Sequence, residues 1–263
     1  MKNLYRAILV TSYRELIRFY QDGTRVFSSF AMPVLFLFVF GAGFSRIIGG
    51  LPSGINFQQF MFPGIVALIA FQTSLQSGLS IVCDREFGFL KEVLVAPLPR
   101  PGIVIGKALG TAIISLFQGL VMLILAPAVG VSLTFGTVVQ LMPVLLLISL
   151  SISGLGLLIA SRMRSMSGFQ MATQLVVFPS MFASGAFFPL NNVPSWLGAL
   201  AHINPLTYGV DSVRHLFLGN TTASALGVQW FGHGLSFMDD LLIIAGIGFI
   251  FITAAAMTFG KRD

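Results

Sequence analysis

Charge is what this sequence has least of. Its 263 residues include 15 Lys and Arg and 9 Asp and Glu, so 9% of the chain is charged, against about 25% in a soluble domain. At 56% hydrophobic, it has too little polar sequence to cover a water-soluble fold of this size, and that class is excluded. Cysteine is nearly absent too. The single Cys83 rules out an internal disulfide and reads as a small buried residue at a membrane edge. His202, His215 and His233 have no metal-ligand spacing, so no metal site is expected. Nucleotide motifs are missing: Gly102-Ile-Val-Ile-Gly106-Lys107-Ala108 is one residue short of a P-loop and has Ala where the magnesium-binding hydroxyl belongs. No nucleic-acid-reading motif accompanies the net charge of +6. No ionisable residue falls at an expected span midplane, which argues against an ion-coupled carrier and against a membrane-embedded carboxylate or metal enzyme. No catalytic constellation is left, so the chain is not expected to be an enzyme.

Long uncharged runs are what it has. A bilayer core needs about 20 apolar residues per helix, and lipid forces each backbone amide to find its partner inside the segment. Six spans are expected, near Val26–Phe44, Gln59–Val82, Lys107–Val129, Val138–Ala160, Phe169–Phe188 and Asp240–Phe259, with Gly130 and Gly136 framing a short turn. The first run is too long for a cleavable signal. The fold class is therefore all-α and polytopic: one transmembrane domain over residues 1–263. Residues 1–25 read as an interfacial helix, with Arg14 and Arg18 one turn apart and Tyr5, Tyr13 and Tyr20 at headgroup level. A solvated tail is the other reading. Within residues 189–238, the stretch Leu206–Leu218 is short for a span and interrupted by Asp211 and Arg214. It reads as short helices dipping in from outside, with the two charges paired three residues apart.

The distribution of Lys and Arg orients the chain. With both termini on the cytosolic side, 13 basic residues fall inside and only Arg46 and Arg214 outside, as the positive-inside rule requires. One inner segment, residues 84–102, is dense in charge. Phe87, Leu90 and Leu94 share one helical face, Asp84, Lys91 and Glu92 largely the other, and Pro97, Pro99 and Pro101 end the helix. Composition alone reads this as a connecting loop. An amphipathic helix that takes up force from a soluble partner is the alternative. Gly106 and Gly110 form a small-xxx-small packing pair. Gln72, Ser74, Gln76, Ser149, Ser151, Gln170 and Gln174 either line a path or pack helices.

These residues carry a resemblance. Asp84-Arg85-Glu86, Gly88, Lys91-Glu92-Val93-Leu94 and Ala96-Pro97-Leu98-Pro99-Arg100 resemble the signature of type-2 ATP-binding-cassette (ABC) exporter permeases. Phe187-Phe188-Pro189-Leu190, Pro194, Trp196-Leu197 and Asn204-Pro205-Leu206-Thr207-Tyr208, with Asp211 and Arg214, look like that family's second signature. The daunorubicin-resistance and nodulation-factor permeases are the most similar group. The resemblance implies a six-span homodimer in a bacterial inner membrane that exports drugs, lipids or lipid-linked glycans. Two copies of a separate ABC ATPase would bind the ATP and magnesium, and this chain would bind no cofactor. Asp84, Arg85, Glu86, Gly88, Lys91, Glu92, Pro97 and Arg100 would form the ATPase-coupling site, with Asp84 standing where Glu is common. Phe188, Pro189, Asn204, Pro205, Tyr208, Asp211 and Arg214 would form an outer gate. An ion-coupled carrier or channel, or a non-transport scaffold, is the alternative.

Overall fold

The structure, a computed structural model, describes residues 2–44, 55–87, 100–191, 193–230 and 233–260. Its helices are α1 (Lys2–Gln21), α2 (Gly23–Phe44), α3 (Phe57–Leu75), α4 (Leu79–Glu86), α5 (Arg100–Met122), α6 (Phe135–Arg162), α7 (Met166–Ala183), α8 (Ser195–Ile203), α9 (Pro205–Leu218), α10 (Asn220–Leu226) and α11 (Phe237–Gly260). Two strands, β1 (Gln229–Trp230) and β2 (His233–Gly234), form a two-residue antiparallel ribbon. The fold is all-α otherwise, as the apolar runs require.

Among the described residues, four helical segments are long and apolar enough to cross a membrane: Phe57–Glu86, Gly102–Leu125, Phe135–Arg162 and Phe237–Thr258. A bent pair, Leu4–Gln21 with Val26–Gly41, turns by 71° and would bring the total to five. The bend separates α1 from the expected first span and fits a helix lying across the foot of an upright one. Helix α7 holds Gln170 and Gln174 within its 18 residues and does not reach the same apolarity.

Helix α3 is the centre of the bundle. It is apolar all round, and every residue from Phe60 to Phe71 is buried, as expected of a helix surrounded by others. Helices α2, α5, α6 and α9 pack around it. The span it begins is interrupted by a 3₁₀ turn at Gln76–Gly78, where backbone geometry tightens. Here α6 comes very close. A Cβ on Gly78 would collide with Ala160 and the Gly156 carbonyl, and one on Gly156 with the Leu75 carbonyl. On the other side of α6, Gly154 lies against the backbone of Ile252 and Gly248 against Ser151. Small residues thus let α6 pack against both neighbours.

Some boundaries differ from expectation. Helix α5 starts at Arg100, so Lys107 lies two turns inside it. Packing against α1 extends the helix beyond its apolar stretch. Gly130 does turn the chain, at φ +75°, but Gly136 sits in the first turn of α6. The outer segment is richer than the dip expected from hydropathy, since α8, α9 and α10 are separate short helices and α9 is buried along most of its length.

Because Gly156 faces backbone atoms, Gly156→Val should lower stability by about 1–3 kcal/mol, the cost of overpacking a tight interface. The check is the unfolding midpoint of the purified protein in mixed micelles titrated with a denaturing detergent.

Candidate functional site

The first site lies at the charged end of the bundle. Helix α4 ends there with Asp84, Arg85 and Glu86, and each of the three bonds to a different element. Asp84 receives the Arg14 guanidinium of α1 at 2.6 and 2.8 Å. Arg85 donates to the Ala160 carbonyl at 3.1 Å and to the Met163 carbonyl, at the C-terminal end of α6. The Glu86 carboxylate accepts from the Met166 amide at 2.6 Å, at the first residue of α7. A helix C-terminus carries partial negative charge and an N-terminus partial positive charge. Adjacent residues of opposite charge therefore straddle the α6–α7 elbow, each at the matching helix end. Arg85 adds donors to the Met163 carbonyl and to the Ala160 carbonyl, which also accepts from the Met163 amide, and Glu86 supplies the acceptor that the first amide of α7 lacks. Ser165 adds the N-cap, accepting from Gly168 at 3.2 Å.

Helix α1 is fastened at the same end. Its Glu15, buried, accepts from the Lys107 ammonium at 2.9 Å and from Ser80 at 2.6 Å, while Lys107 also donates to Ser80. The three groups satisfy one another in a dry contact among α1, α4 and α5, as a buried charge pair requires. The stripe Gly102, Gly106 and Gly110 makes this approach possible: an added Cβ would strike Ala7, Thr11 and Glu15 respectively. Ser12 donates to the Gly106 carbonyl at 2.8 Å. The pair read from sequence as helix packing is thus the seat of α1. The opposite face of α1 exposes Leu9, Val10, Tyr13, Ile17 and Tyr20. Gly88, Lys91, Glu92 and Pro97, and the side chain of Arg100, lie outside the described residues.

The second site is at the far end. Asn204 caps α9 by accepting from Leu206 at 3.1 Å and ties it to α7 by donating to the Ser180 carbonyl at 2.8 Å. Pro205 occupies the first helical position, where its missing amide costs nothing. Tyr208 donates to the His202 carbonyl at 2.6 Å, and burial pushes its phenol up. Phe188 packs against Leu190, Ala201 and Val228, and Pro189 follows it into the loop. Arg214, fully buried, pairs with Asp211 at 2.8 Å, donates to the Gly185 carbonyl at 2.6 Å and lies 4.5 Å over the ring of Phe60. Asp211 also accepts from the Val228 amide at 3.1 Å. Burial pushes its carboxyl up, and the Arg214 guanidinium is the main force holding it down. The far-end motif residues therefore come together, and Asp211 and Arg214 pair as their spacing indicates.

Sequence reasoning misses two features. It does not pair Glu15 with Lys107. The available signal is a lone acid within an otherwise basic helix. It also places Asp240 at a span edge, yet Asp240 is fully buried, neither of its oxygens has a hydrogen-bond partner among the described residues, and His215 Nε2 stands 3.6 Å away. Burial pushes the His215 imidazole below its ordinary value, and Nδ1 lies 3.2 Å from the Asn220 side-chain oxygen. His215 and Asn220 border a far-end cavity of about 740 Å³.

Between the two ends lies a smaller cavity of about 380 Å³, bordered by Gln72, Thr73, Gln76, Gln118, Gln170 and Gln174 among others. Four of the seven polar residues singled out in the sequence meet there. The other three pack helices: Ser74 bonds back to Ala70, Ser149 to Ser115 and Ser151 to Ile244. Among the described residues no cluster of His, Cys, Asp and Glu has the makings of a metal site.

A bundle of apolar helices with charged groups gathered at both ends is an integral membrane protein. The chain belongs to the ABC-2 type transporter family, whose model matches residues 6–218. Among similar proteins is the putative transport permease ycf38 of Cyanophora paradoxa, 33% identical over 72% of this chain and 67% of its own. The probable multidrug ABC transporter permease YbhR of Escherichia coli is 28% identical over 67% of this chain and 47% of its own. Nodulation protein J of Rhizobium leguminosarum bv. trifolii is 27% identical over 72% of each. The chain is thus the membrane subunit of an ABC transporter.

Two predictions concern the paired charges. Lys107→Met leaves Glu15 buried without its cation and should cost about 3–5 kcal/mol. Adding Glu15→Leu to the same chain should restore most of that loss, as read from detergent unfolding curves of the unsubstituted chain and the two variants. At the far end, Asp211→Arg and Arg214→Asp should each abolish folded yield on size-exclusion chromatography. The exchanged pair should recover it only in part, because Val228 and Gly185 keep their original polarity toward each partner.

Proposed function

We propose that this chain is the permease half of an ATP-driven exporter, moving a drug-like, lipid or lipid-linked glycan substrate out of the cytoplasm. In this reading two copies of the chain pair as a homodimer, each with six spans and both termini in the cytosol of a bacterium, and the charged end faces inward. Two copies of a separate ABC ATPase bind ATP and magnesium. This chain contributes no catalytic group and binds no cofactor. The carrying observation is the linkage of Asp84, Arg85 and Glu86 to three different elements. A push on residues 88–99, delivered by an ATPase docked there, reaches α1 through Asp84 and the α6–α7 elbow through Arg85 and Glu86. Asp84, Arg85 and Glu86 then orient the helices, while Gly88, Lys91, Glu92, Pro97 and Arg100 are left to meet the ATPase. The far-end motif from Phe188 to Arg214 serves as the outer gate, with Asp211–Arg214 holding α9 to the loop at Gly185 and to Val228.

A second reading, an ion-coupled carrier, is favoured by one observation: Asp240, buried beside His215 with no hydrogen-bond partner among the described residues. Intramembrane acids of that kind often carry a proton.

Efflux from vesicles separates the readings. With a partner ABC ATPase, the chain should move substrate on ATP addition and keep doing so when the proton gradient is dissipated. The chain alone should move none. Glu86→Ala should insert and fold normally but lower ATP-dependent efflux about tenfold or more, because the α7 N-terminus then loses its anchor. Normal efflux in that variant would remove Glu86 from the coupling path.

A further inference from the structure

The amide-lined cavity bears on the cargo of the proposed exporter, and its assignment as a cargo site rests on the export reading. Its walls come from α2, α3 and the 3₁₀ turn after it, α4, α5 and α7, with Phe19 of α1 at one edge. Gln76 lies about 15 Å along the span from Glu86, at 1.5 Å per residue, so the cavity stands near mid-depth in a core of about 30 Å. No described residue bordering it is ionisable. Gln72 and Gln76 are one helical turn apart, and so are Gln170 and Gln174. Two ladders of amides, each with a rung every 6 Å or so, therefore border one space. Thr73 donates to the Gln118 amide oxygen at 2.6 Å, which orients a fifth amide. The buried Gln76 Oε1 has no hydrogen-bond partner among the described residues. Ile69, Leu79 and Val177 supply an apolar wall.

We propose that this cavity is a recognition site for an uncharged, hydroxyl-rich group such as a sugar ring, and that it discriminates against permanent cations. A primary amide offers two donors and an acceptor, and a hydroxyl is likewise donor and acceptor. Adjacent hydroxyls therefore pair with amides in either direction, while the apolar wall meets the C–H face of the ring. A quaternary ammonium would leave water and meet no counter-ion, and burying an unpaired charge is strongly unfavourable.

The test is equilibrium binding to the purified full-length permease in phosphatidylcholine nanodiscs, without ATP. Two radiolabelled probes share one tail: hexyl maltoside and hexyltrimethylammonium. The maltoside should bind at least tenfold more tightly than the ammonium. Gln72→Leu with Gln174→Leu should weaken maltoside binding about tenfold or more and leave the ammonium unchanged. Gln76→Glu should raise ammonium binding while lowering that of the maltoside, and this gain keeps the test decisive if the double variant folds poorly. Equal binding of both probes, maltoside binding indifferent to all these substitutions, or no maltoside binding would each overturn the proposal. The export reading fails separately: maltoside binding with no ATP-driven movement of any substrate by the assembled complex would overturn that reading and leave the site standing.

Discussion

Asp240 apart, the charged groups that this chain buries at its two ends are met by partners within the chain, and the architecture is arranged around those pairings. At the charged end, Glu15, Lys107 and Ser80 form a closed set across α1, α4 and α5. At the far end, Arg214 donates through Nη1 to Asp211 and through Nη2 to Gly185 and lies over the face of Phe60, while its Nε has no partner among the described residues. A buried ion pair is not by itself a large source of stability, since desolvation offsets most of the attraction. What it supplies is position. A helix that must bring one particular carboxylate to one particular ammonium has a single acceptable register, and α1 and α9 are placed in that way.

The same logic explains why the root of the inner loop is tied so tightly. Arg85 and Glu86 are sequence neighbours, yet one satisfies the end of α6 and the other the start of α7. Two opposed helix ends would otherwise present free carbonyls and free amides close together. One dipeptide of alternating charge answers both, and in doing so makes the elbow move with α4. Position is again the product: α7 carries Gln170 and Gln174 one and two turns from that elbow, and the span that ends at Glu86 carries Gln72 and Gln76, so the bond from Glu86 to Met166 sets the two amide ladders relative to one another.

How much of this is legible in the sequence depends on the interaction range. Hydropathy places most helices to within a few residues, because lipid imposes a length and an apolarity that local sequence must obey. It places α5 poorly, because Arg100 to Gly106 is helical through packing on α1 and not through burial in lipid. The pairing of Asp211 with Arg214 is legible because both lie on one helix three residues apart. The pairing of Glu15 with Lys107 spans 92 positions, and no local pattern encodes it. The glycine stripe announces a close approach but not its partner. The outer segment reads as short helices that dip in from outside, because Leu206–Leu218 is short for a span and interrupted by Asp211 and Arg214. Its helices are instead held by caps and polar contacts from Asn204, Tyr208 and Arg214, which an apolarity scale counts against a helix.

The glutamines show where the two kinds of reading meet. From sequence, seven polar residues in apolar runs are equivalent: path or packing. Geometry divides them by a simple rule. Ser74 and Ser151 are short enough to bond to a helix backbone and Ser149 to bond to Ser115, so lipid demands nothing further of them. The glutamine side chain extends beyond that reach, and Gln76 keeps an oxygen for which the described residues offer no donor. Long amides are costly in a membrane unless something meets them, and here they are gathered from α3, α5 and α7 around one space. A site of that composition carries no charge with which to bind a driving ion. In the export reading proposed above, energy for movement enters elsewhere, and the bonded triad at Asp84–Glu86 lies on the span that carries one amide ladder and bonds to the first residue of α7, which carries the other.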